Sequence, residues 1–165
     1  MGTLVKDIVI YLAAFTDAEG SIGITKHKRP ERRTPAYEPR LQVGNTNREV
    51  LDLYVNTFGG KITTEKRLTK GGKQVYIWNI YGVPMVEALE AMLPYLRIKR
   101  EPAKLVIALH KRIQRRSQRE GDSKGVNQSE LEARERLYQQ IKPYTSKHRQ
   151  LSLPIPNDNR QPQLF

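Results

Sequence analysis

Between Tyr11 and Ile22 an apolar helical stripe runs through two carboxylates, Asp17 and Glu19, to Gly20, and the spacing of apolar residues then changes. Residues 4–15 place Ile8, Leu12 and Phe15 at helical spacing, and Asp17 with Gly20 ends that helix. From 21 to 28 and from 37 to 44 the period becomes two, with Ile22 and Ile24, then Tyr37, Leu41 and Val43, on one face. A helix therefore leads into two strands. Their connection carries Arg29, Arg32 and Arg33 between Pro30 and Pro35, the composition of an exposed basic tip.

The same succession follows again. Asn45-Thr46-Asn47 caps a helix over 48–58, with Val50, Leu51, Tyr54, Val55 and Phe58 on its buried side and Gly59-Gly60 at its stop. Residues 61–69 and 74–81 are rich in β-branched and aromatic side chains and flank a Lys70-Gly71-Gly72-Lys73 turn. Pro84 opens a third helix, closed by Pro94, and Pro102 opens a longer one. The longer helix has Leu105, Val106, Leu109 and Ile113 as its stripe and Lys111, Arg112, Arg115, Arg116 and Arg119 as a basic side. After a Gly-rich break at 121–125, Ser129 with Glu132 forms a capping-box pattern, and the last helix is expected to end near Pro143. The order α-β-β-α-β-β-α, plus C-terminal helices, predicts an α+β fold with helices on one face of an antiparallel four-stranded sheet. One domain over 1–142 is expected, followed by a basic, proline-rich arm over 143–165.

Charge narrows the partner. Lys+Arg number 29 against 17 Asp+Glu, a formal +12, which favours polyanions through release of their condensed counterions. The cations are spread over strands and loops rather than along one amphipathic helix, and no apolar run approaches the roughly 20 residues of a membrane span. No membrane and no small-molecule substrate is expected, and the lack of a signal-peptide pattern predicts an intracellular protein. With no cysteine and three dispersed histidines, His27, His110 and His148, any metal must be oxygen-bound.

If Ile22, Ile24, Leu41, Val43, Ile62, Tyr76, Trp78 and Ile80 pack on helices, alternation leaves a second face. That face holds Thr25, His27, Arg29, Glu38, Arg40, Gln42, Lys61, Thr63, Glu65, Arg67, Val75, Ile77 and Asn79. A water-exposed strand face is also polar. The same types suit base edges: Arg and Lys reach guanine acceptors, Gln and Asn pair with adenine, Glu accepts from cytosine, and Val or Ile touches the thymine methyl.

The segment Leu12 to Gly20 resembles the nine-residue signature of the LAGLIDADG homing endonucleases. Ala14 stands where Gly is usual, Phe15 and Thr16 at the variable apolar sites, and Glu19 where Asp is commoner. The element order is also that known for this fold, so the resemblance covers about residues 5–142. It implies a site-specific double-strand DNA endonuclease whose free sheet face follows the major groove of a long, partly palindromic target; with no cysteine for intein splicing and no second domain, an intron-encoded enzyme is expected rather than an intein. One motif in a chain of this length implies a homodimer packed through the motif helix at Leu12, Ala13, Ala14 and Ala18, small residues letting two backbones approach. The resemblance makes Glu19 the main ligand of Mg²⁺, helped by the Ala18 carbonyl, while Asp17 bonds to nearby backbone. It also points to Asn45 as the water-orienting position and to Lys99 as the catalytic lysine, with Arg48 and Lys73 as further basic groups around the solvent pocket. Asn45 equally suits a helix cap, and Lys99 a solvated base. Arg29, Arg32, Arg33 and the arm are expected to contact phosphates. An RNA-splicing maturase and a non-cleaving DNA-binding regulator are the alternatives on the same scaffold.

Overall fold

The computed structural model describes residues 2–28, 34–66, 68–120 and 126–145, without the side chains of 2–4 and 118–120. Helix α1 (Gly2–Glu19) passes directly into β1 (Gly20–His27), followed by β2 (Ala36–Asn45), α2 (Arg48–Phe58), β3 (Lys61–Thr64), β4 (Tyr76–Ile80), α3 (Gly82–Met92), α4 (Arg100–Glu120) and α5 (Gln128–Thr145). The order is the one the periodicities predict. The four strands form one antiparallel sheet in the order β1-β2-β4-β3. No helix among the described residues is long and apolar enough to cross a membrane.

The expected packed face is the one covered by helices. Ile22, Ile24, Leu41, Val43, Trp78 and Ile80 are buried against Leu12 of α1, Leu51 and Tyr54 of α2, Met85 and Leu89 of α3, and Val106 and Leu109 of α4. Trp78 and Tyr54 stack with centroids 4.6 Å apart, and the indole N–H donates to the Gly59 carbonyl at 2.8 Å. Both large rings can be buried because their polar atoms have partners. The Tyr54 hydroxyl donates to the Leu12 carbonyl at 2.7 Å, so it accepts from Thr16 Oγ1 at 2.8 Å, which ties α2 to the motif helix.

Three local expectations change. The Ser129–Glu132 capping box does not form: Asn127 caps α5, accepting from the Glu130 N–H at 2.9 Å, while Glu132 accepts from Gln128. An amide one step outside the helix reaches the orphan donor, whereas Ser129 already lies within the first turn. Helix α5 also runs through Pro143 to Thr145, because a proline in the final exposed turn forfeits only one hydrogen bond. Strands β3 and β4 are shorter than the alternation predicts, although Glu65 N–H still donates to the Val75 carbonyl at 2.9 Å. The turn bonds Thr69 to Lys73, with Gly72 at a φ of 74°.

α5 is docked on β1 by a polar cluster. Glu135 accepts from Lys26 Nζ at 2.7 Å, from the Tyr37 hydroxyl and, through its other oxygen, from Gln139 at 2.6 Å. The hydrogen bond from Lys26, then those from Tyr37 and Gln139, hold the Glu135 carboxyl down at about 2. Tyr37 packs edge-on against Tyr138 at 5.9 Å beside this cluster.

Candidate functional site

Helix α1 has two unlike sides. Val9, Leu12, Ala13 and Thr16 are buried within the chain, whereas Ile10, Tyr11, Ala14 and Ala18 are exposed. Those exposed positions fall on one stripe, since 11, 14 and 18 are three and four apart. Of the four residues expected at a helix–helix contact, Ala14 and Ala18 are therefore available to a second molecule. Leu12 and Ala13 are not: both have no exposure, and both form part of the chain's own core. The sequence motif is continuous, but a helix turns 100° per residue and divides it between core and surface. Exposed Ile10 and Tyr11 join the stripe instead, a choice that the i, i+3, i+7 spacing from Tyr11 could have signalled.

At the end of α1 the two carboxylates have different surroundings. Asp17 is fully engaged: one oxygen accepts from the backbone N–H groups of Arg97 (2.6 Å) and Ile98 (3.2 Å), the other from that of Lys99 (2.8 Å). It thereby ties the motif helix to the segment just ahead of α4. Glu19 is exposed and has no hydrogen-bond or ion-pair partner among the described residues. The Lys99 ammonium donates to the carbonyls of Thr16 (2.9 Å) and Asp17, meeting the orphan acceptors and the negative pole of α1 two residues before Glu19.

Strand register brings Asn45 to the same end of the sheet. Gly20 lies opposite Val43, so β2 extends past the start of β1 by the two residues that end at Asn45. The Asn45 Oδ1 accepts from the Asn47 N–H at 2.8 Å, closing the corner before α2, while Asn47 is the helix cap. Its amide nitrogen has no partner among the described residues. Arg48 begins α2 over the Tyr76 ring, 5.9 Å from its centroid, and pairs with Asp52 at 3.6 Å. Among the described residues no three His, Cys, Asp or Glu side chains gather into a metal cluster. A single chain offers one unpartnered carboxylate here.

The free face of the sheet carries a polar row. The pairings place Ser21, Gln42, Asn79 and Lys61 side by side across all four strands. Beside it, Arg40 lies opposite Gly23 and donates to Gln42 Oε1, and Glu38 lies opposite Thr25 and meets His27 Nε2 at 3.1 Å. Ile77 lies between Gly44 and Thr63. Asn79 is nearly buried, with its amide donating to Thr63 Oγ1 (3.2 Å) and the Ile77 carbonyl (3.1 Å). Lys61, Thr63 and Glu65 are exposed, Val75 is half-buried, and Lys73 is exposed in the β3–β4 turn. Ser21 joins the row without being one of the expected positions, although its alternation with Ile22 marks it. Arg29, Arg32, Arg33, Arg67 and the arm beyond Thr145 lie outside the described residues.

Solved structures share this fold. I-CvuI, solved with the I-CreI target in the presence of Mg and with its DNA not cleaved, matches at a TM-score of 0.64 and 26% identity, over 86% of this chain and 85% of that one. The archaeal intron-encoded homing endonuclease I-Vdi141I, complexed with DNA, matches at a TM-score of 0.68 and 16% identity over 87% of each chain. The LAGLIDADG homing endonuclease I-GzeII, in complex with its DNA target, matches at 0.59 and 16% identity over 79% of this chain but 43% of its own. This chain has the LAGLIDADG homing-endonuclease fold. No family model and no curated protein matches its sequence.

In this LAGLIDADG-like fold Gly20 has a steric reason. A Cβ on Gly20 would lie 2.6 Å from the Thr16 carbonyl oxygen and 2.8 Å from Thr16 Cγ2, so the helix can pass into the strand without a linker only if the side chain is absent. The motif thus fixes where Glu19 leaves α1 relative to the free face.

Proposed function

We propose that the chain is a divalent-metal-dependent, site-specific double-strand DNA endonuclease, intron-encoded and active as a homodimer with a partly palindromic target. The observation that carries this reading is the pair of neighbouring carboxylates. Asp17 is consumed by three backbone donors, whereas Glu19, at the end of an exposed small-residue stripe, is left without a partner among the described residues. The similarity to I-CvuI and I-Vdi141I, both solved with DNA, supports the substrate class. Matching 85% of I-CvuI but 43% of I-GzeII supports the view that two copies of this chain make one complete enzyme.

Hard oxygen donors and an unpartnered carboxylate fit Mg²⁺. Glu19 would hold the ion together with the Ala18 carbonyl, and pairing of two α1 stripes brings a Glu19 from each copy to the interface. Such an ion neutralises charge at the scissile phosphate and lowers the pKa of bound water. Lys99, fixed at the end of α1, adds positive charge where the leaving oxygen develops negative charge. Asn45 orients water through its unpartnered amide nitrogen. The free sheet face reads bases, and the basic tips and arm hold phosphates.

The test is incubation with a plasmid library of random sites and Mg²⁺, followed by sequencing of the ends. A single long, partly palindromic site is expected. Glu19→Gln should abolish cleavage while retaining site-specific binding in a gel shift. Cutting by that variant at the wild-type rate would remove Glu19 from the metal site.

A further inference from the structure

The helix layer has its own concentration of cations, remote from the sheet's free face. Between α4 and α5 runs a cleft of 770 Å³, with Ala108, Ala133 and Leu137 as its apolar lining. Among the described residues its charged lining is Lys111, Arg112, Arg115, Arg116 and Arg136 against one carboxylate, Glu130. That carboxylate is already matched, since Arg112 and Arg134 each approach it at 2.8 Å. Lys111 is drawn to Glu90 on α3. Arg115 and Arg136 are exposed, on opposite walls, and have no ion-pair partner among the described residues. Among the described residues the cleft therefore keeps an excess of positive charge over an apolar lining.

This combination suits a single nucleic-acid strand. Guanidinium forks match phosphate oxygens in pairs, and the small apolar side chains leave room for sugar and base. A cleft of 770 Å³ is too small to take a duplex. The cleft also opens the wrong way for the cleavage target. α5 meets β1 through Glu135 and Tyr138, whereas Ala133, Arg136, Leu137 and Gln140 lie on its other side. A duplex on the free face is separated from the cleft by the sheet and a helix about 10–12 Å across, and DNA this stiff does not wrap so short a distance.

We propose that the α4–α5 cleft is a second nucleic-acid site, which binds the phosphodiester backbone of a single strand independently of the sheet face. The proposal goes beyond the endonuclease reading and does not depend on it. The probes are labelled 12-nucleotide oligouridine RNA and oligothymidine DNA, titrated with the full chain by fluorescence anisotropy at several salt concentrations. Arg115→Ala with Arg136→Ala should weaken single-strand binding at least tenfold and lower the salt slope by about 1.4, two phosphates at about 0.7 each. Duplex binding and circular dichroism should not change. Arg40→Ala, on the sheet, and Lys66→Ala with Lys70→Ala, which removes the same charge elsewhere, should leave single-strand binding as in the wild type. Equal affinity for RNA and DNA assigns recognition to the backbone alone, and tighter RNA binding adds the 2′-hydroxyl. The proposal is overturned if the cleft variant binds both oligomers like the wild type, or if either control variant weakens them equally.

Discussion

Gly20 joins α1 to β1 with no residue between them, and the place of its missing Cβ is taken by the Thr16 carbonyl oxygen, 2.6 Å away. Because that neighbour is backbone, Gly20→Ala must shift the helix end rather than a side chain. A loss of about 1–3 kcal/mol in denaturant stability is expected, with a larger fall in cleavage than in DNA binding, since Glu19 moves with the junction. Unchanged stability and cleavage would show that the junction relaxes freely. The neighbouring Asp17 illustrates what one sequence can and cannot reveal. A carboxylate at a helix end reads as a backbone acceptor, but its donors, Arg97, Ile98 and Lys99, lie about eighty residues further on and are identified only by the fold. The Glu135 cluster is wholly hidden in the sequence for the same reason: Lys26 is 109 residues from its partner, and no periodicity links them.

Among the elements, those with long periodic stripes are legible in the sequence, whereas ends decided by single hydrogen bonds are not. α1, α2 and α4 follow from helical spacing and the sheet from alternation, but Asn127 rather than Ser129 caps α5, and β3 with β4 stops short of the predicted alternation. The motif helix shows the limit most clearly, because its nine residues look alike as a string while the fold buries Leu12 and Ala13 and exposes Ala14 and Ala18. Ala14→Leu adds bulk to an exposed stripe, so each copy should keep its circular dichroism while sedimentation at micromolar concentration shifts from dimer to monomer and the thermal midpoint loses its dependence on protein concentration. A monomeric wild type, free and on DNA, would defeat the shared centre. The docking of α5 has a pH signature. Glu135 is depressed from 4.5 to about 2, so its contribution is complete above pH 4.5 and is lost as pH falls toward 2. The groups are partly exposed, so about 1 kcal/mol is expected. Glu135→Gln should flatten the denaturation midpoint across that window; a slope equal to the wild type's would assign the acid sensitivity elsewhere.

At the scale of the whole molecule, the sheet separates two kinds of contact. Arg40 stands opposite Gly23, which has no side chain of its own, and its partner Gln42 lies in the row that spans all four strands. A fixed array of this kind can distinguish one base from another. The arm begins at the sheet's edge: a Cβ on Gly23 would lie 3.4 Å from Thr145 Cγ2, so α5 ends against the free side of β1. Beyond that point the sequence carries Lys147, Arg149 and Arg160, which suits contacts with phosphates on either flank of a site. Arg40→Ala should therefore relax discrimination at one symmetric pair of target positions by about 1–3 kcal/mol per contact and leave other positions unchanged. Deleting residues 146–165 should weaken binding to every site alike and lower the salt slope by roughly 0.9 for each phosphate that the arm no longer neutralises. Base-preference profiles of the two variants, measured beside the wild type over a salt series, decide between these roles. If the truncated protein prefers different bases while Arg40→Ala does not, the arm specifies and the sheet merely positions.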